Sequence, residues 1–419
     1  GLNLDDVGAS FDRRPVLRVH GAHDACPSFV QYFADLLARE HERRFPHLRV
    51  IRGDAFAQID NHGCDPMVGA PMPAFCVHEK ALYHTSLDTP EKTDKLWMAT
   101  HAAVAGTYAY FLASAGLSEA VWLARSGLDA ARLRLLSRIQ ARGAQAPAGR
   151  RLAEAIRFYA DVEVQGLRAL RRFASAFHGP AFDEQTADAV RDLEALAAAE
   201  RRKARSLTLG PAPQTSAEPR EARRLVPKRN VFGLLCLENL SQQARNEQAA
   251  DPGLRMSVWG GAQNLIFWCD GHRTVSEVAE LIGHSTGRYD VELTLRRLRF
   301  LDRHGYITLL RRIGRRALAR QIRALGIAEG DTVWVHSSLQ RIGYVIGGPE
   351  AVVGALLDAV GETGDLVMPC FYDSFVSAKV WKPPFDRATS PSEVGRIPEA
   401  FRRWPGVVRS AHPTHSVLA

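Results

Sequence analysis

The stretch V-H-S-S-L-Q-R-I-G-Y-V-I-G-G-P-E-A-V-V-G-A-L-L-D-A-V-G, Val335–Gly361, decides the reading of the carboxy-terminal fold. Just before it, Asp331–Val335 is a short β-rich run that leads into His336, Ser337 and Ser338. After it come an apolar helical stretch, Pro349–Val360, and a second β-rich run, Asp365–Pro369. Strand, loop, helix and strand in that order predict an α/β unit. Hydroxyls and open backbone N–H groups after a strand suit an anionic or polar ligand. Gly343, Gly347 and Gly348 allow close backbone approach. Pro349 pre-sets the first turn of the following helix, whose N-terminus favours negative charge.

A second stretch, G-R-I-P-E-A-F-R-R-W-P-G-V-V-R-S-A-H-P-T-H-S, runs from Gly395 to Ser416. Arg396, Arg402, Arg403 and Arg409 are cationic forks of the kind that meet phosphates. Taken alone, these residues also fit an ordinary α/β edge with a solvated arginine face. Together and in this order, the two stretches resemble the aminoglycoside 3-N-acetyltransferase family over residues 313–419. The resemblance implies acetyl transfer from acetyl-CoA to an amine, an antibiotic-resistance chemistry. It implies that His336, Ser337 and Ser338 line the cofactor cleft beside Gly347 and Gly348, with Arg409, Ser410, His412 and Ser416 nearby. In the family a further His followed by Glu, well downstream, deprotonates the amine. These 419 residues stop before such a motif. A neutral amine is the nucleophile a thioester needs, so a base is expected, and His336 is a possible stand-in.

The amino-terminal end carries a different set. N-L-D-D-V-G starts at Asn3, D-N-H-G-C-D-P-M-V-G-A-P at Asp60 and Y-H-T-S-L-D-T-P-E-K at Tyr83. Asp5 falls where a carboxylate sits at the end of a strand. One Asp and one His are too few for a zinc site, and a strand-end Asp with a loop His is the plainer reading. These motifs resemble di-zinc aminopeptidases. The resemblance implies Asp5 and His84 as zinc ligands, Tyr83 beside the tetrahedral intermediate and Asp88 as a loop-orienting residue. The family's other ligands and its Glu base precede N-L-D, and Asp6 stands where Met is usual. Peptide hydrolysis and stable zinc binding are therefore not expected of this segment.

Composition bounds the rest. The 419 residues are 46% hydrophobic and 24% charged, ordinary for globular protein. They suggest roughly two to four domains. Strands near Arg14–Gly21 and Leu48–Gly53 alternate with helices over Ser28–Arg43 and Thr93–Ala115, predicting a mostly parallel sheet in residues 1–116. Residues 117–225 read as a helical extension broken near Gly143–Gly149, with the long helix Ala187–Arg205, and then a linker. Residues 226–312 read as a winged-helix-like module. In it Thr274 and Glu277 form a capping-box pattern, Asp290–His304 is the longest helix and Gly305 ends it. The fold class is thus α/β and multidomain: two enzyme-like regions joined by a helical arm and a small module.

A net charge of +8, concentrated in Arg132–Arg172, Arg201–Arg229 and Arg296–Arg323, raises nucleic acid as a partner. Arg296, Arg297, Arg299 and Arg303 would form the basic face of a recognition helix, but Asp302 interrupts it. A docking module that does not bind DNA specifically is the expectation. No apolar run reaches membrane-spanning length. The six cysteines (Cys26, Cys64, Cys76, Cys236, Cys269, Cys370) form no paired motif, which fits a reducing cytoplasm. The expected partners are a small-molecule amine and acetyl-CoA. The alternatives are a zinc aminopeptidase or amidase with a vestigial acetyltransferase segment, and a regulator built on the central module.

Overall fold

The computed structural model describes residues 2–5, 16–46, 49–53, 63, 65–76, 85–145, 149–173, 179–206, 219–233, 235, 239–255, 264–372, 385–412 and 414–419. The architecture is mixed α/β, rich in helix, with small sheets. The chain packs as two compact units. The first comprises residues 1–218, 230–268 and 277–300, and the second 219–229, 269–276 and 301–419. Residues of the 226–312 segment are thus shared between the two.

The first unit contains a four-stranded sheet of order β1-β4-β2-β3. Its strands are β1 (Asn3–Asp5), β2 (Val16–His20), β3 (Arg49–Gly53) and β4 (Ala74–Cys76). Leu17 and Val19 alternate inward on β2, as period-2 patterning requires. The β1–β4 and β2–β3 pairings are parallel, but β2 and β4 run antiparallel. The mostly parallel expectation missed β4, whose three residues are all buried and show no alternation.

Helix α1 (Val30–Arg44) packs Tyr32, Phe33, Ala34 and Ala38 inward. Helix α2 (Lys95–Ser114) starts at Asp94, whose carboxylate accepts from Leu96 N and Trp97 N, both at 2.9 Å. Three long helices follow: α3 (Leu117–Gln145), α4 (Arg150–Arg168) and α6 (Pro180–Ser206), with the short α5 (Leu170–Phe173) before α6. The expected break between α3 and α4 is present, and Gly149 there has φ of +108°. Tyr32 reaches between α3 and α4, donating to Glu163 O at 2.8 Å. A Cβ on Gly166 would stand 2.4 Å from the Tyr32 hydroxyl, so only glycine fits.

One face of α3 carries Arg134, Arg138 and Arg142, spaced four apart. Arg134 meets Glu163 at 3.1 Å and Asp35 at 3.5 Å. Arg138 grips Asp24 through both nitrogens, at 3.0 and 2.6 Å. Arg142 donates to the carbonyls of Gly283 and, at 2.9 Å, His284. Those carbonyls belong to the last turn of α9 (Val275–Thr286), where a cation is favoured. The elements α7 (Gln242–Ala250), α8 (Asn264–Phe267) and α10 (Val291–Arg303) complete this part of the chain.

In the second unit β5 (Leu225–Arg229) pairs antiparallel with β6 (Ile307–Ile313). Gly305, with φ of +76°, turns the chain from α10 into β6, as expected of a helix-ending glycine. Beyond α11 (Arg315–Arg323) come β7 (Thr332–Trp334), α12 (Leu339–Ile342), β8 (Tyr344–Val345), α13 (Gly348–Val360) and β9 (Asp365–Pro369). Helix α14 (Arg396–Arg402) and strand β10 (Val417–Leu418) complete the unit. β7 and β9 pair in parallel, and β10 adds antiparallel to β9. The core gathers Val352, Val353, Leu356, Leu366, Met368 and Phe401. Gly354 opens room on α13 for the Arg315 guanidinium, which holds Asp358 at 2.7 and 2.6 Å. Among the described residues no helix is long and apolar enough to cross a membrane.

Candidate functional site

The parallel pairing of β7 with β9 decides where the polar loops lie. Trp334 is opposite Val367, and Val335 N donates to Val367 O at 2.9 Å. Both strands therefore release the chain at one end: His336-Ser337-Ser338 after β7, and Cys370-Phe371-Tyr372 after β9. Antiparallel β10 enters from that end, so residues 410–412 and 414–416 belong there too. The C-terminus of α13 sits beside the start of β7, where Gly330 N donates to Val360 O at 2.8 Å. Thirteen residues of helix, about 20 Å, carry the first turn of α13 toward the loop end. Ligands of open α/β sheets collect outside the carboxyl ends of parallel strands.

Each residue there has a definable state. The Ser337 hydroxyl oxygen is buried and has no hydrogen-bond partner among the described residues, which is costly unless a ligand or water supplies one. Ser338 precedes α12, is exposed, and makes no capping bond with its side chain. Exposed Trp334 donates its indole N–H to His336 Nε2 at 2.7 Å, which leaves the neutral imidazole's proton on Nδ1. Gly347 and Gly348 have φ of +84° and +61°, so the turn into α13 uses backbone that other residues rarely adopt. No side chain caps α13 at Gly347.

Arg409 has a different place from the cofactor contact expected of it. It is buried, with Nε donating to Ser416 Oγ at 2.8 Å and Nη2 to Cys370 O at 2.8 Å. Nη1 donates to Ser390 O, and the guanidinium lies 4.8 Å from the Phe385 ring centre. All three nitrogens are engaged inside the fold, so this side chain shapes the loops instead of facing a phosphate. Arg402 and Arg403 are also committed, since both bind the Glu399 carboxylate at 2.7 to 2.9 Å. Arg402 and its neighbour Arg403 hold the Glu399 pKa down to about 2 against the opposing effect of burial. Arg396, the first residue of α14, stays exposed.

The loop before β10 is closed by Ser410, whose N–H donates to Val417 O at 2.9 Å and whose hydroxyl accepts from Val417 N at 3.0 Å. His412 is exposed, and its Nδ1 accepts from His415 N at 2.9 Å and Thr414 N at 3.3 Å. That leaves its proton on Nε2. The sequence reading overlooked His415, whose Nδ1 lies 2.8 Å from Thr414 Oγ1 and whose ring packs 4.9 Å from Phe371. It also overlooked Trp334. The only sequence signal for either was its place beside a residue already of interest. Cys370, buried at the end of β9, has its thiol pKa raised by burial.

The structure thus brings His336–Ser338, the Gly347–Gly348 turn, Ser410 and His412 to one end of the unit, with Arg409 beneath the loops. The amino-terminal set is not assembled in the same way. Asp5 lies in β1 with its backbone opposite Cys76, while Tyr83 and His84 fall outside the described residues. Among the described residues no group of three or more His, Cys, Asp or Glu is placed to hold a metal ion. On α10, Arg296 pairs with Asp251, and Arg297 donates to Gly253 O at 3.0 Å and Arg255 O at 3.1 Å. Two arginines of the expected basic face therefore serve their own unit.

Residues 334–419 match the family described as aminoglycoside 3-N-acetyltransferase. Aminoglycoside N(3)-acetyltransferase VII of Streptomyces paromomycinus is 43% identical over 122 residues, covering 26% of this chain and 42% of that protein. Aminoglycoside N(3)-acetyltransferase VIII of Streptomyces fradiae is 40% identical over 122 residues, covering 43% of its own length. The crystal structure of the aminoglycoside acetyltransferase AAC(3)-Xa is similar at 41% identity over 26% of this chain and 43% of that one. Its TM-score of 0.24 is too low to bear on the fold. The chain spans less than half the length of the curated relatives it matches.

Proposed function

We propose that residues 313–419 are part of an N-acetyltransferase domain that moves the acetyl group of acetyl-CoA onto an amine of an aminoglycoside-like metabolite. The reading rests on one coincidence. The segment that matches the acetyltransferase family is the segment whose polar loops gather at the carboxyl ends of β7 and β9. Acetyl-CoA, when bound, supplies an acyl carbon activated as a thioester.

The residues fit that cofactor in part. Ser337 has a buried hydroxyl in need of a partner, and the amide-bearing arm of CoA offers carbonyl oxygens. Ser338 adds an exposed hydroxyl, and the uncapped N–H groups of α13 favour an anionic oxygen. Gly347 and Gly348 keep side chains away from that approach. Arg402, Arg403 and Arg409 are spent within the fold, so phosphate recognition falls to backbone donors and to Arg396. His336 and His412 each have one ring nitrogen occupied as an acceptor, so both serve as donors at this end. Neither is arranged to take a proton from the amine, and His336 would first have to release Trp334.

The test is acetyl transfer by the full-length protein. Acetyl-CoA and a panel of aminoglycosides should yield a product heavier by one acetyl group, seen by mass spectrometry, with release of free CoA. Binding of acetyl-CoA without transfer to any amine in the panel would refute the substrate class. No binding at all would refute the reading itself.

A further inference from the structure

The Gly347–Gly348 turn has an anchor outside the sheet of β7, β9 and β10. Strand β8, which leads into it, is the last strand of a second sheet, ordered β5-β6-β8. Tyr344 and Val345 pair in parallel with Arg312 and Ile313 of β6. Ile346 N then donates to Ile313 O at 2.9 Å, so β6 holds the chain up to the residue before Gly347. The other side of β6 is held in turn. It pairs with β5 from Leu225 opposite Arg311 to Arg229 opposite Ile307, and Arg312 N donates to Arg224 O at 2.7 Å.

Side chains repeat the link. The Tyr344 ring centre lies 5.8 Å from the Arg312 guanidinium and 6.3 Å from the His272 ring, which meets it edge-on. His272 belongs to the turn Asp270–Arg273, and Gly271 N of that turn donates to Pro227 O of β5 at 3.0 Å. Asp270 fixes the turn by accepting from His272 N at 2.9 Å and by pairing with Arg273. Val345 is buried in the core that holds Val352 and Val353 of α13, and Ile313 packs against the same core. Both glycines of the turn have positive φ, and no side chain caps α13. Glycine backbone has the most freedom to lose. The direction of the open N–H groups on α13 is therefore set by what holds Tyr344–Ile346.

We propose that β6 and the Asp270–Arg273 turn position the Gly347–Gly348 turn for acetyl-CoA, acting through Tyr344 and Ile346. The proposal rests on the acetyltransferase reading above and adds a frame to it. β5, β6 and His272 all precede Trp334, where the family match begins. The segment ahead of the match is then a working part of the cofactor site, and affinity for acetyl-CoA depends on residues that do not touch it. Tyr344 and Ile346 are positioning residues, because their contacts are with β6 and His272.

Two substitutions loosen this anchor in different ways. Gly347, with φ of +84° and ψ of +9°, has the backbone of the third residue of a type II turn, in which proline is favoured one position earlier. Ile346→Pro therefore suits the turn and deletes the N–H that reaches Ile313. Ile346 is 44% exposed, so little packing is lost. Tyr344→Ala keeps every backbone bond and removes the ring. In calorimetric titration of the full-length protein, each variant should bind acetyl-CoA about fivefold more weakly than wild type. Each melting temperature should fall by no more than about 4 °C. Tyr344→Phe keeps the ring that Arg312 and His272 meet, and should bind like wild type. Unchanged affinity in either loosening variant, whatever its melting temperature, would overturn the proposal and leave the acetyltransferase reading intact. So would a Tyr344→Phe variant as weak as Tyr344→Ala. A wild type that does not bind acetyl-CoA would overturn both.

Discussion

Arg409 and Ser416 converge on one acceptor: Arg409 Nη2 reaches Cys370 O at 2.8 Å, and Ser416 Oγ reaches the same oxygen at 2.5 Å. Arg409 Nε also donates to Ser416 Oγ, which closes a buried triangle at the end of β9. The triangle ties Arg409 and Ser416 to the end of β9. Arg409→Ala leaves the carbonyls of Cys370 and Ser390 without this donor inside the fold. It should destabilise the second unit by about 2–4 kcal/mol. Arg409→Lys should recover little, since an ammonium cannot span three acceptors in one plane. Thermal unfolding of both variants checks this; a wild-type melting curve together with weaker acetyl-CoA binding would instead place Arg409 on the cofactor.

Arg134 stands between two buried carboxylates, those of Glu163 and Asp35, whose side chains are 0% and 5% exposed. Arg134→Met removes their common cation and should cost about 3–5 kcal/mol. Adding Glu163→Gln should restore part of the loss, because one buried charge is gone. Urea unfolding of the single and double variants measures the coupling. A double variant no more stable than Arg134→Met would show that Arg134 matters for packing alone.

His284 gives the first unit a pH dependence with a definite sign. Burial, with help from neighbouring Arg142, pushes its pKa from 6.5 down to about 4. Its Nδ1 is 2.8 Å from the Tyr289 hydroxyl, and its ring stacks on Phe158. Between those two pH values the unfolded chain binds the proton and the folded chain does not. Stability is therefore fully present above about 6.5 and falls as pH drops toward 4. Melting temperature followed over that window should decline for the wild type and decline less for His284→Gln. Equal slopes would remove His284 as the cause.

Much of this was readable in the sequence. The strand Asp365–Pro369 and the helix ending at Val360 lie where periodicity put them, because an apolar run bounded by Gly361 and Gly347 leaves few alternatives. Gly305 likewise marked a turn that the backbone needs. β4 and β10 escaped notice because strands of two or three residues carry no period to read. The arginines were misleading for a different reason. Composition shows a guanidinium but not its partner, and only tertiary structure sets Arg409 on Cys370 and Arg402 on Glu399. The same limit hid Trp334, whose value lies in a bond two residues away.

The cofactor cleft is tested most directly by calorimetric titration of acetyl-CoA into the full-length protein and its Ser337→Ala variant. The Ser337 hydroxyl has no partner among the described residues, so the substitution should leave the melting temperature unchanged or raise it. The variant should bind acetyl-CoA about fivefold more weakly, the scale of one neutral hydrogen bond of about 1 kcal/mol. Equal affinity for the two proteins, or no binding by the wild type, would contradict the placement of acetyl-CoA at the ends of β7 and β9.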